Sequence, residues 1–163
     1  MLEGRRFWRD YHGFLVRVAD RHVAWPVRAA QAWITMVTRY QPMSLADLAR
    51  HIVATLDDKV RWKLVWEFLE EYRWEPPETQ ANLVRTEPES VRDERWDALL
   101  AALAEHLAAQ QDLGPPEWAE TRVLRRAWFP AELAIQRADA LAWAPAAFRK
   151  HGVYLSIHDL AAA

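Results

Sequence analysis

The side chains able to do chemistry in this sequence are its six histidines, its carboxylates and its hydroxyls, and their spacing decides whether they could act together. No two histidines stand at i, i+4 with a glutamate between them, and there is no His-x-His pair, so no zinc-type ligand set is present. His106 follows Glu105, and His151 precedes Gly152. Both positions suit an imidazole near a helix C-terminus, where the backbone dipole favours a cation. The carboxylate pairs Asp57/Asp58 and Glu70/Glu71 fall at a helix start and on a polar strip, with no neighbouring histidine or serine to shift their titration. The four glycines are isolated, which leaves no loop able to wrap a phosphate, and no Gly-x-Ser-x-Gly turn occurs. We therefore expect no catalytic residue, no metal and no cofactor.

Recognition chemistry is better represented. Ten tryptophans bring large apolar area and one N–H donor each, a combination used in cores and in binding hot spots. Trp62 and Trp66 are one helical turn apart, opposite a glutamate strip, as buried residues or as anchors for a partner. Trp128-Phe129 precedes Pro130, as an apolar lead-in to a helix or as an exposed contact. Arg137 interrupts a stripe of Leu133, Ala134, Ala138 and Leu141, so it pairs with an internal acid or reaches out. With Arg149, these six are the candidate partner contacts. A helix-turn-helix over 44–74 is the rival arrangement. Its second helix, however, offers Trp, Val, Leu and Glu where a recognition helix needs Arg, Lys, Asn or Gln along one exposed face.

The elements that must position these residues are helical throughout. Phe7, Trp8, Tyr11, Phe14, Leu15 and Val18 recur at helical spacing over 5–23, and Pro26 restarts a second helix to about residue 40. Ser44 reads as the N-cap of a short helix through Leu45, Leu48 and Ile52. Asp57 or Asp58 caps the next, over 59–74, which is apolar round most of its circumference and so is expected to lie at the centre of the fold. Pro76-Pro77 starts a brief helix, and 87–95 reads as a loop. Trp96, Leu99, Leu100, Leu103 and Leu107 make another stripe, stopped by Gly114. Pro115-Pro116, Pro130 and Pro145 begin three further turns or helices, one of them spanning 130–143. Val153-Tyr154-Leu155 alone has strand character. The expectation is one all-α domain over 1–163, an irregular bundle of about seven to nine helices with little or no β-structure.

Composition agrees. Of 163 residues, 52% are hydrophobic, enough for a sizeable core, and the formal net charge is −2, too small to drive binding to nucleic acid or membrane. Residues 1–42 carry seven arginines against three acids, and 43–163 carry fourteen Lys/Arg against twenty. There is no cysteine, no apolar run of the ~18 residues a membrane span needs, and no signal-peptide pattern. A soluble, cytoplasmic protein is expected.

Several stretches resemble a set of small helical proteins of GC-rich bacteria, encoded beside nucleotidyltransferase-like toxins. They are Trp66-Glu67-Phe68-Leu69-Glu70-Glu71-Tyr72, Glu75-Pro76-Pro77, Arg95-Trp96-Asp97-Ala98-Leu99-Leu100 with Ala104-Glu105-His106-Leu107, Trp128-Phe129-Pro130, and the run from Ala144-Pro145 to Gly152-Val153. The likeness covers residues 43 to 163, and none of the stretches is a mechanistic motif. It implies an antitoxin-like, non-enzymatic protein that neutralises a cognate nucleotidyltransferase-like toxin by direct contact. The alternative is a DNA-binding repressor using 44–74. Residues 1–42 depart from the pattern, as a native extra helical pair or as the product of an upstream start.

Overall fold

The structure, a computed structural model, describes residues 41–161. The chain divides into two compact units, Met1–Gln41 and Pro42–Ala163, and all described residues but Gln41 belong to the second. The expected helices over 5–23 and 26–40 lie outside the described residues. The described part is all-α: seven α-helices, one 3-10 turn and, among the described residues, no strand beyond a single bridge. No helix in it is long and apolar enough to cross a membrane.

Local chemistry sets most element ends. Helix α1, Leu45–Val53, is closed by a reciprocal capping box: the Ser44 hydroxyl accepts from the Asp47 amide at 3.1 Å, and the Asp47 carboxylate accepts from the Ser44 amide at 3.0 Å. Two orphan donors of the first turn are thereby satisfied. Helix α2, Asp58–Trp74, has Asp57 as N-cap, accepting from the Lys59 amide at 2.9 Å. Helix α3, Pro77–Arg85, starts on proline, whose missing N–H costs nothing there. Its Gln80 is buried; the amide donates to the Tyr72 carbonyl at 2.8 Å and accepts from Gln111 at 2.7 Å. The 86–93 loop is tied down rather than free: Asp97 accepts from the Val91 amide at 2.9 Å, and Arg122 donates to the Pro88 carbonyl at 2.6 Å.

Helix α4, Glu94–Gln110, is the centre of the fold. Trp96, every residue from Ala98 to Ala104, Leu107 and Ala108 are buried on it, so its whole circumference is covered. This corrects the placing of the 59–74 helix at the centre. Helix α2 buries Arg61, Val65, Phe68, Leu69 and Tyr72, but Val60 is 42% and Trp74 58% exposed. The α4 alanines carry too little apolar area to dominate a sequence pattern, yet they let neighbouring helices approach closely on all sides.

Gly114 does not stop α4. The left-handed residue is Asp112, at φ 54°, with Leu113 N–H bonded to the Ala108 carbonyl at 3.0 Å and Asp112 N–H to Ala109 at 3.2 Å. That is a Schellman ending built on aspartate, a residue able to adopt αL. A 3-10 turn, Glu117–Thr121, follows Pro116. Helix α5 is Ala134–Trp143, four residues later than the expected start at Pro130. Helices α6, Ala146–Lys150, and α7, Ile157–Ala161, complete the order. Between α6 and α7 the chain pairs with residue 128: Trp128 N–H donates to Gly152 O and Tyr154 N–H to Trp128 O, both at 2.8 Å. The strand character of 153–155 is spent on this one parallel bridge, Trp128 to Val153. Gly152 turns the chain into it at φ 75°, where an added Cβ would lie 3.0 Å from the Leu124 Cβ.

Candidate protein-interaction surface

Three of the six sequence candidates meet. Trp62 stacks on Trp66 at 5.5 Å between ring centroids, on Trp128 at 6.2 Å, and packs against Trp96 at 5.0 Å. Trp96 is fully buried, and the other three are half-buried. The helical spacing of Trp62 and Trp66 was legible in the sequence. The arrival of Trp96 and Trp128 was not, because it depends on side chains of α4 reaching those of α2 and on the bridge that pins Trp128.

The cations beside this cluster are already engaged. The Arg61 guanidinium lies 5.5 Å from the centre of the Trp96 ring, is buried, and donates to Thr55 O at 2.9 Å and to Asp58 at 3.2 Å. Arg95 lies over Trp128 at 5.5 Å and is held by Asp93 at 3.0 Å. The hydrogen bond from Arg95 keeps the Asp93 carboxyl below the usual carboxylate range, outweighing the opposing effect of burial. Aromatics and cations are thus assembled as a mortar between α2, α4 and the 128 bridge.

The other candidates lie elsewhere. Phe129 stacks on Tyr154 at 4.7 Å with planes 18° apart. Arg149 is exposed on α6. Arg137 is exposed too, and its Nε donates to the Ala131 carbonyl at 2.9 Å. Among the described residues it forms no ion pair with an internal acid, and the stripe it interrupts is exposed.

The exposure of that stripe was not legible in the sequence. On α5 only Ala140 is buried. Leu133 is 61%, Ile135 77%, Leu141 56% and Trp143 57% exposed. At 3.6 residues per turn, Ala134, Ile135, Ala138, Leu141 and Ala142 share an arc of about 120°, and all five are exposed. Ala140 points away from that arc. Helix α5 is thus a short apolar face held to the body by its opposite edge, by Asp139, which meets His158 of α7 at 3.3 Å, and by Trp143, whose ring packs on His158 at 5.6 Å.

A buried polar cluster forms around His151. His151 is fully buried; its Nδ1–H donates to the Arg122 carbonyl at 2.9 Å, and Nε2 faces Glu105 Oε2 at 3.0 Å. Lys150 donates to the same oxygen at 2.8 Å. Burial raises the Glu105 carboxyl, but the bonds from Lys150 and His151 outweigh it and leave the net shift downward. His106, next along α4, packs edge-on against Phe148 at 5.7 Å, and burial lowers its pKa. The cluster joins α4, α6 and the exit of the 3-10 turn, as a tie between elements. Among the described residues no group of His, Asp and Glu could hold a metal ion. A groove of about 750 Å³ runs between α3, the end of α4 and the Pro115-Pro116 loop, lined by Val84, Ala108 and Trp118 together with Arg85, Glu87 and Glu117.

Compared with known proteins, the chain matches no family model, no curated protein and no solved structure.

Proposed function

We propose that this protein is a non-enzymatic interaction module that binds another protein through α5, and that its partner is a nucleotidyltransferase-like toxin which it neutralises as an antitoxin. The observation that carries the interaction reading is the exposed apolar arc of α5: Ala134, Ile135, Ala138, Leu141 and Ala142 all face outward, with Ile135 77% and Leu141 56% exposed. An exposed apolar face of that kind marks contact sites on soluble proteins. The toxin as partner rests on the sequence resemblance alone.

The test is co-expression with the product of the adjacent reading frame. A stable complex is expected, burying at least ~1,000 Å², with loss of toxin activity. A neighbouring toxin that stays fully active with this protein in excess overturns the reading. The rival repressor reading through α1 and α2 gains no support, because Arg61 is buried against Trp96 and the exposed α2 side chains include Glu67 and Glu70. DNA affinity falling steeply with salt would be its signature.

A further inference from the structure

Charge is divided sharply within the described body. Residues 43–121 hold eight Lys/Arg against seventeen Asp/Glu, an excess of nine negative charges, whereas 122–163 hold six against three. The exposed apolar helix lies inside the basic part. Of the six cations there, Arg122 is committed to Glu87 and Asp97, and Lys150 to Glu105. The remaining four, Arg125, Arg126, Arg137 and Arg149, are all exposed and form no ion pair among the described residues. The acids of the same part are Glu132, Asp139, which is engaged by His158, and Asp159.

Arg137 borders the apolar arc of α5 on one side, next to Leu141. Arg126 and Arg149 bracket α5 in the chain, the first two residues before the Trp128 bridge and the second on the helix that follows. An apolar face with the Arg137 guanidinium at its edge, in a segment with twice as many Lys/Arg as acids, is complementary to an apolar surface edged with carboxylates, since Arg binds carboxylate through a two-pronged fork. A second copy of this chain is a poorer fit. Two α5 faces brought together about a twofold axis across the helix set Arg137 on the same flank as its own counterpart, like charge facing like.

From these observations we infer that the α5 face docks an acidic amphipathic helix of a different protein. The inference deepens the interaction reading above and depends on α5 being a docking face, but not on the partner being a toxin. Apolar contact from Ile135, Ala138 and Leu141 supplies the affinity. The arginines supply orientation and speed of encounter, and with them a dependence on salt.

The test uses the full chain and two synthetic 18-residue helices that share one Leu/Ile face. One carries Glu and the other Lys at every flanking position, and binding is followed by anisotropy of a labelled peptide. The Glu peptide is expected to bind at least ten-fold tighter at low salt, and the preference to collapse at high salt. Ile135→Asp with Leu141→Asp should abolish binding of both peptides while the thermal midpoint holds. Arg137→Glu with Arg149→Glu should reverse the preference. Equal affinity for the two peptides, or indifference to the α5 changes, overturns the inference. So does self-association that Leu141→Asp abolishes, since a second copy would then be the occupant. Failure of the adjacent-gene complex alone removes the toxin and leaves this inference standing.

Discussion

Helices α4 and α5 are made of nearly the same material and live in opposite surroundings. Each is rich in alanine, each carries leucine and a tryptophan, and each would pass as an ordinary amphipathic segment. Yet α4 is buried round its whole girth from Ala98 to Ala104, and α5 buries Ala140 alone. Alanine explains how both are possible. Its methyl group adds little to the area that drives burial and little to the cost of exposure, so the neighbours decide. Where α1, α3, α6 and the 3-10 turn close around α4, the small side chains become contact surface. Where, among the described helices, α7 is the main neighbour of α5, the same kind of residue is left exposed.

The comparison is broken most severely by emptying the centre. Trp96→Ala removes the largest fully buried side chain and should cost about 3–5 kcal/mol, seen as a large drop in the urea midpoint; a loss below about 1 kcal/mol would mean α4 is not the core. Next in size is one substitution made twice. Ala101→Leu on α4 should destabilise by about 1–3 kcal/mol through overpacking, while Ala138→Leu on α5 should stay within about 0.5 kcal/mol of the parent. Equal costs at the two positions would erase the distinction. Gly152→Ala follows at about 1–2 kcal/mol, since a Cβ at positive φ is strained and this one also meets Leu124; Gly114, with nothing near it, should tolerate alanine with little change in the same melts.

The smallest effect concerns pH at the edge of the core. The Glu105 carboxyl is held below its ordinary value of 4.5 in the folded chain, so at mildly acid pH the unfolded chain binds the extra proton. Its contribution is therefore complete above the ordinary value and is lost as pH falls through the depressed one. Urea midpoints taken from about pH 7 down to about pH 3 should fall less steeply for Glu105→Gln than for the parent. Parallel profiles would show that the Lys150–Glu105–His151 tie contributes nothing.

Much of the fold was legible along the chain. Ser44 and Asp57 announced their helices, Pro77 its start, and the helical class followed from periodicity. Each of these is decided by groups within a turn or two of one another. The site was less legible. Trp62 and Trp66 were recognised, but their companions Trp96 and Trp128 come from thirty or more residues away. That the α5 stripe stays exposed was not legible, because periodicity reports that a face exists, not what covers it. His151 and Glu105, forty-six positions apart, gave no sign of meeting.

The sequence by itself determined the helical class and several helix starts, such as those at Ser44, Asp57 and Pro77, because caps, prolines and apolar spacing act through short-range hydrogen bonds and sterics. Tertiary structure alone decided which alanine-rich helix lies inside, which tryptophans touch and which apolar face stays open. Those outcomes depend on how much surface distant elements can cover at once, and no local pattern encodes that.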